Sequence, residues 1–488
     1  MALRPLDLAV VVAYLLGITL FGARFRKGQR TLSDYLLGGR RLPWWALALS
    51  VVSAETSILT IISIPGIAYS SNFGFLQLVF GYLLARVVVS FVLIPRYFTG
   101  EIFTAYQFIE RRFGPRLKQF TAALFLSTRA LAEGVRVFAI AIVLQVVSHT
   151  GVLTAVVVIT LLTLFYTFEG GLAAVIWTDV LQLAIYLAGT AVAVWVAVHA
   201  IPGGWHSMQA VARDSGDKFR VFDFHVNFHE PYLFWSGLIG GTFLTSASHG
   251  TDQLIVQRLL AARNKRQSQA ALLSSGVVIL GQFALFLLAG VALFAYYRQF
   301  PPAAPFTRPD QIFPTFVVTR LPMGLGGLLT AAILGAGMAN LSAALNALAS
   351  SSVVDFYKPF LHPGADERHY LMASRVVTLA WGAVLLAIAL AAARLHESVL
   401  ELALTIASVP YGSMLGIFLL GALTRRTTPA AAFLGALTGL AVLVAVILWT
   451  SVAWTWYVVI GTVVTFGAAW GLSRLQNPVN AAPGPAAR

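Results

Sequence analysis

From residue 7 to residue 473 the chain alternates long apolar runs with short polar breaks. A helix that crosses a bilayer needs about 20 mostly apolar residues, so each run predicts a span. Thirteen fit: 7–25, 44–70, 74–97, 116–148, 151–168, 171–200, 230–260, 266–297, 322–356, 370–393, 396–422, 428–450 and 454–473. Two of them carry unusual polar content. Span 44–70 holds Ser50, Ser53, Glu55, Thr56 and Ser57 at mid-depth, then Pro65 and Gly66. Span 230–260 holds Gly240 and Gly241, then Thr245, Ser246, Ser248, His249 and Gly250. Unwound backbone at membrane depth is tolerated where it is buried or lines a cavity. Matched breaks in two halves of a chain mark the central site of inverted-repeat transporters. The other reading is that small residues merely permit close helix packing.

The breaks between spans sort by charge. Arg24, Arg26, Lys27, Arg30, Arg40 and Arg41 follow the first span, and Arg96, Arg111, Arg112, Arg116 and Lys118 the third. Arg258, Arg263, Lys265 and Arg266 follow the seventh, Lys358 and Arg368 the ninth, and Arg425 and Arg426 the eleventh. The link after the fifth span is the exception and carries no base. Basic loops stay on the cytoplasmic side, which predicts an outside N-terminus, a cytoplasmic C-terminus and the plasma (inner) membrane. The first run lacks a basic leader and an A-x-A site and reads as a retained span. The tail after Leu475, with three prolines, reads as disordered.

Composition agrees: 58% of residues are hydrophobic and 11% charged, with a mean hydropathy of +0.80. Soluble domains carry roughly 25% charged residues. The net charge of +14 belongs to the alternate loops, so no nucleic acid is implied. The absence of cysteine excludes disulfides and thiol chemistry. There is no GxSxG, HExxH or phosphate-loop motif, so nothing points to an enzyme. His206, His225 and His229 have no metal-ligand spacing, and His249 near Asp252 reads as a satisfied polar cluster.

Charges inside spans are costly and face a bundle interior or a wet cavity. Arg129, Glu133 and Arg136 lie at i, i+4 and i+7, one face of a helix. One acid cannot neutralise two arginines, so the face suits a carboxylate ligand, which Arg grips with a planar fork. A purely structural ladder with Arg86, Glu133 and Asp179 is the alternative. Asp179, in VIWTDVLQLAIYL, is suited to hold sodium, to carry a proton or to pair with an arginine.

Five ordered stretches resemble one family: GGRRLPWWALALSVVSAETS with PGIAY (38–69), TAYQFIERRFGPR (104–116), EGGLAAVIWTDVLQ (169–182), GTDQLIVQRLLAARN (250–264) and AGMANLSAALNALASSSVVDFYK (336–358). The chain resembles the sodium:solute symporter family. That resemblance implies an all-α membrane protein with a LeuT-like core of two inverted five-helix repeats. The expected division is a first peripheral span and basic loop (1–43), repeats at 44–200 and 230–424, an outer loop (201–229), two peripheral spans (425–475) and a tail (476–488). It implies import of a small polar solute by alternating access, with no cofactor beyond sodium as coupling ion. An uncoupled uniporter and a substrate-binding membrane sensor are the alternatives. Oligomeric state is not legible.

The resemblance also places sites. Sodium would take the carbonyls of Leu49, Val52 and Ala336. The family's two hydroxyl positions fall on Ala339 and Asn340, of which only Asn340 offers a side-chain oxygen. A second sodium site would use Asp179 and Ser342, beside Ala343. The departure at Ala339 leaves sodium coupling, proton coupling and uniport open. Substrate contacts would come from Ser53 and Thr56 at the first break, Thr245 and Ser248 at the second, Phe75, and Arg129 or Arg136. Val51, Leu78 and Ile279 stand where sugar carriers present polar groups, so the sugar pattern is not met. Arg258 is expected to meet inner acids such as Asp355 or Glu110.

Overall fold

A computed structural model describes residues 4–24, 37–99, 102, 104–148, 172–302, 304–394 and 399–476, with 151, 153, 154, 157, 160 and 161 between them. Most of the fifth expected span and the C-terminal tail therefore lie outside the described residues. Among the described residues there are helices and turns and no strands. The long helices are α1 (Pro5–Ala23), α2 (Trp44–Glu55), α3 (Ile58–Ser70), α4 (Leu76–Val88), α5 (Ala105–Phe113), α6 (Pro115–Ser148) and α7 (Leu172–Ala200). They continue with α8 (Gly204–Asp214), α9 (Phe234–Gly250), α10 (Gln253–Leu260), α11 (Lys265–Gln299), α12 (Ile312–Arg320), α13 (Leu325–Ser351), α14 (Glu367–Ala392), α15 (Val399–Leu423), α16 (Pro429–Trp449) and α17 (Tyr457–Gln476). Seven helical segments among the described residues are long and apolar enough to cross a membrane, or eight with the bent pair α2–α3 as one span. That count covers the described residues, which leave out most of the fifth expected span, so the expected thirteen is not confirmed.

The first break is where the polar run predicted it. The α2 helix starts after Pro43 and ends at Glu55, and Thr56 leaves helical geometry at φ −79°, ψ 78°. Its N–H still reaches the Val52 carbonyl at 2.8 Å, while the Ser57 N–H turns back to Glu55 at 2.9 Å. The chain then re-enters helix at Ile58 and runs 63° away from α2. Ser, Thr and Glu side chains compete with the backbone for hydrogen bonds, which is why the helix yields here rather than in the apolar turns on either side.

The second break comes at the end of the expected run, past Gly250. The Gly240–Gly241 pair stays within α9, and the helix stops only at Thr251–Asp252, where Asp252 caps α10 by accepting from the Leu254 N–H at 3.0 Å. The glycines serve packing instead. A Cβ on Gly241 would lie 2.4 Å from the Leu78 carbonyl oxygen, and one on Gly81 would lie 2.6 Å from that of Leu238. The α4 and α9 helices therefore cross backbone to backbone, the close approach that small residues permit in a membrane bundle.

The segment Pro309–Gln311 packs into the bundle. Asp310 is fully buried and accepts a hydrogen bond from Ser63 on α3. Gly66 leaves room for it, since a Cβ there would sit 2.7 Å from the Pro309 carbonyl oxygen.

Candidate functional site

A cavity opens beside the two breaks. Its polar wall is Glu55 and Ser57 at the first break, Thr245, Ser248, His249 and Asp252 around the second, Arg129 and Arg136 on α6, Asn340 on α13 and Tyr411 on α15. Its apolar wall includes Phe75, Tyr82, Phe283, Leu244, Ala403 and Leu404. Phe75 and Phe283 stack with centroids 5.4 Å apart and planes 12° from parallel.

The helix breaks explain why so many charges meet here. Asp252 serves as the cap of α10, so its second oxygen is free to turn across the bundle. That oxygen pairs with Arg129 on α6 and accepts from the Tyr411 hydroxyl at 2.7 Å. Arg129 also holds Glu133, one turn along, at 2.8 Å. Arg136 pairs with the same Glu133 oxygen from the other side, and Glu133 is its one partner among the described residues; its Nε has none. The Arg136 side chain is 21% exposed, against 6% for Arg129.

A second cluster lies against the first break. Glu55 pairs with Arg86 of α4, which also donates to Ser275 at 3.0 Å and to the Tyr82 carbonyl at 3.1 Å. His249 lies 3.4 Å from Glu55 through Nε2 and 2.9 Å from the Ser248 hydroxyl through Nδ1. Arg86, Arg129 and Arg136 thus face Glu55, Glu133 and Asp252, three charges of each sign. The expected surplus of one arginine does not arise, because Asp252 supplies the second acid from 123 residues away.

Behind the cavity Asp179 accepts from Ser50 at 2.6 Å and from Arg258 at 3.0 Å, and Arg258 donates to Ser50 at 2.9 Å and to the Leu254 carbonyl at 2.7 Å. Arg258 therefore meets Asp179, not Asp355 or Glu110. Those two acids meet Lys118 instead, at 3.6 Å and 3.1 Å. Capping of α10 and the turn at Asp252 set the direction of α10, and that direction carries Arg258 toward α2 and α7.

Of the expected substrate contacts, Phe75, Arg129, Arg136, Thr245 and Ser248 line the cavity. Ser53 and Thr56 do not. Both are buried, and Thr56 accepts from the Gln282 amide at 2.5 Å. Leu78 is spent on the α4–α9 crossing, and Ile279 is buried in α11. Of the expected sodium contacts, Asn340 lines the cavity, Ala336 is buried, and Leu49 and Ser342 are half-buried. The Val52 carbonyl carries the Thr56 hydrogen bond, and the Ala339 side chain lies outside the described residues. Sequence reasoning passed over Glu55, Tyr82, Asp252, Phe283 and Tyr411 as wall residues. Glu55 had a signal, an acid in mid-span, and His249 belongs to the wall rather than to a closed polar cluster.

Residues 35–439 match the model of the sodium:solute symporter family. Human sodium-coupled monocarboxylate transporter 1 is 31% identical over 429 residues, covering 87% of this chain and 69% of that one. A sodium/sialic acid symporter of Aliivibrio fischeri is 28% identical, covering 94% of this chain and 90% of that one. Human sodium/iodide cotransporter is 29% identical, over 90% and 68%. The substrate-bound, outward-open structure of a sodium-coupled sialic acid symporter superposes with a TM-score of 0.85 at 26% identity, covering 97% and 98% of the two chains. Inward-facing Mhp1 shares the fold at a TM-score of 0.57 and 14% identity. With two broken helices around a polar cavity and this run of matches, the chain belongs to the sodium:solute symporter family, cation-coupled secondary transporters of LeuT-like fold rather than enzymes, for which sodium is the coupling ion.

Proposed function

We propose that the chain imports a small organic monocarboxylate together with sodium. The observation that carries this reading is Arg136. It is the arginine of the cavity wall with a single partner, and its unpartnered Nε leaves fork geometry for a carboxylate. Arg129, held by two acids, positions Glu133 and Asp252 instead. The stacked Phe75 and Phe283 with Leu244 and Leu404 offer an apolar seat for the body of the solute. Carriers for monocarboxylates and for sialic acid, both carboxylates, are among the relatives, which supports the choice of headgroup.

In this reading residues 44–200 and 230–424 are the two inverted repeats, 1–43 and 425–475 are peripheral, and the N-terminus is outside and the C-terminus cytoplasmic. Thr245 and Ser248 contact the solute. Leu49, Val52, Ala336, Asn340, Asp179 and Ser342 supply candidate sodium oxygens.

The test is uptake of a labelled short-chain monocarboxylate into proteoliposomes under imposed sodium or proton gradients. Sodium-driven accumulation is expected, with Arg136→Gln raising KM at least tenfold. Accumulation driven only by protons removes the sodium reading. Unchanged KM in Arg136→Gln removes the arginine from the solute site.

A further inference from the structure

The C-terminal end of α2 points its last carbonyls into the first break, where a helix end carries partial negative charge. Around that end stand Ser53, Thr56, Tyr186 of α7 and Gln282 of α11, each at most 4% exposed. The Gln282 amide donates to the Thr56 hydroxyl at 2.5 Å, and its own oxygen has no partner. The Tyr186 hydroxyl faces Ser53 and Thr56 and meets no partner at hydrogen-bond geometry. A buried acceptor left without a donor costs about 1–3 kcal/mol, and the Gln282 oxygen, in a nook of hydroxyls, calls for something that binds oxygens.

We propose that Ser53, Thr56, Tyr186 and Gln282, with the carbonyl end of α2, form a monovalent-cation site for sodium. The shell consists of neutral oxygens, which suits a hard singly charged ion better than a divalent one, whose sites draw on carboxylates. Glu55 and Asp179 stand near Tyr186 and are each neutralised by an arginine, so they supply field without direct ligation. The site is separate from the α13 residues considered above, since it draws on α2, α7 and α11. It also explains why Ser53 and Thr56 do not line the cavity: they bind the ion, and other residues of the same break face the solute.

This inference rests on the sodium-coupled reading. The test uses the purified full chain in liposomes and measures binding of labelled sodium alone, and then sodium-driven uptake. Gln282→Leu is expected to raise the half-saturating sodium concentration at least tenfold. KM for the carboxylate at saturating sodium should stay within about twofold. Gln282→Glu, the same shape with an added charge, is expected to tighten sodium, whereas a purely structural amide donor would be lost equally in both variants. Tyr186→Phe, the mildest change, should weaken sodium with the fold intact. Sodium binding unchanged in Gln282→Leu, or weakened equally in Gln282→Glu, overturns the site while leaving sodium coupling standing. No sodium binding by the unaltered chain overturns the coupled reading and the site with it.

Discussion

The Asp252 junction allows a quantitative prediction. Asp252→Asn keeps the cap, since the amide oxygen still accepts from the Leu254 N–H, and its NH2 group can donate to the Tyr411 hydroxyl, which then acts as the acceptor. It removes the charge opposite Arg129, whose side chain is 6% exposed against 3% for Asp252. Glu133 then faces Arg129 and Arg136 alone. Breaking a buried pair by deleting one partner costs about 3–5 kcal/mol. Most of that is the stranded guanidinium, because the cap and the Tyr411 bond survive. Removing both partners, as in Arg129→Met with Asp252→Asn, strands nothing: Glu133 keeps Arg136 and the amide keeps Tyr411. Replacing a buried pair in this way is often close to neutral, so the double variant should recover at least about 2 kcal/mol of the summed single losses, a coupling typical of residues in one network. Equilibrium unfolding in graded mixed micelles, run on the four members of the cycle, measures it. Strict additivity would show that Arg129 and Asp252 do not hold each other, and the account of the cavity wall would fail.

Three further outcomes follow from single features. Gly81→Val puts side-chain atoms where the Leu238 and Gly237 carbonyls lie 2.6 and 2.7 Å from a Cβ; it should cost about 1–3 kcal/mol or more by overpacking, read as loss of folded, monodisperse protein, while Leu273→Val on an exposed lipid-side position should not. Arg136→Lys keeps the charge but loses the fork, so KM for the carboxylate should rise while kcat changes little, in contrast to Asn340→Ala, which should act on sodium dependence. Lys218, in the 201–229 loop, donates to the Tyr69 and Ser71 carbonyls at 2.8 and 2.9 Å, and burial, with Arg298 nearby, lowers its pKa. The unfolded chain then binds more protons between the lowered value and the ordinary lysine value of about 10.4, so attachment of the loop should strengthen as pH rises through that window. Limited proteolysis of 201–229 against pH reads this, and Lys218→Met should flatten the profile.

The local features were the legible ones. Apolar runs gave most helices to within a few residues, and the Ser53–Ser57 polar run located the break in α2–α3 because its cause is local competition for backbone hydrogen bonds. The second break falls at the far end of the Gly240–Gly250 run. Gly240 and Gly241 look like breakers in one dimension, and only the neighbour helix α4 reveals that they are contact surface. The face Arg129–Glu133–Arg136 was visible at i, i+4 and i+7. Its charge balance was not, because Asp252 arrives from another helix through a cap and a sharp turn. The same turn sends Arg258 to Asp179, 79 residues distant. Ser53 and Thr56 stand at the break but do not line the cavity, since a break has two faces and periodicity does not say which one meets the cavity.

The ion pairs also constrain how such a chain can move. Glu55–Arg86 joins α2 to α4, both in the 44–200 segment, whereas Arg129–Asp252 and Asp179–Arg258 tie α6 and α7 to α10 in the other. The short helix α10 is therefore fastened at both ends to the opposite segment, by Asp252 at its start and Arg258 near its finish. Any rearrangement that shifts α10 against α6 must open a buried pair or carry Arg129 with it, and the first course costs several kcal/mol. In the proposed reading a solute carboxylate at Arg136 would lower that barrier, by freeing Glu133 from one of its two arginines. Glu133 can then take over Arg129 as Asp252 lets go. In that reading, anion binding in the cavity is coupled to the freedom of α10 by exchange of partners around Arg129, with Asp252 left to the Tyr411 hydroxyl and the Leu254 N–H once it lets go.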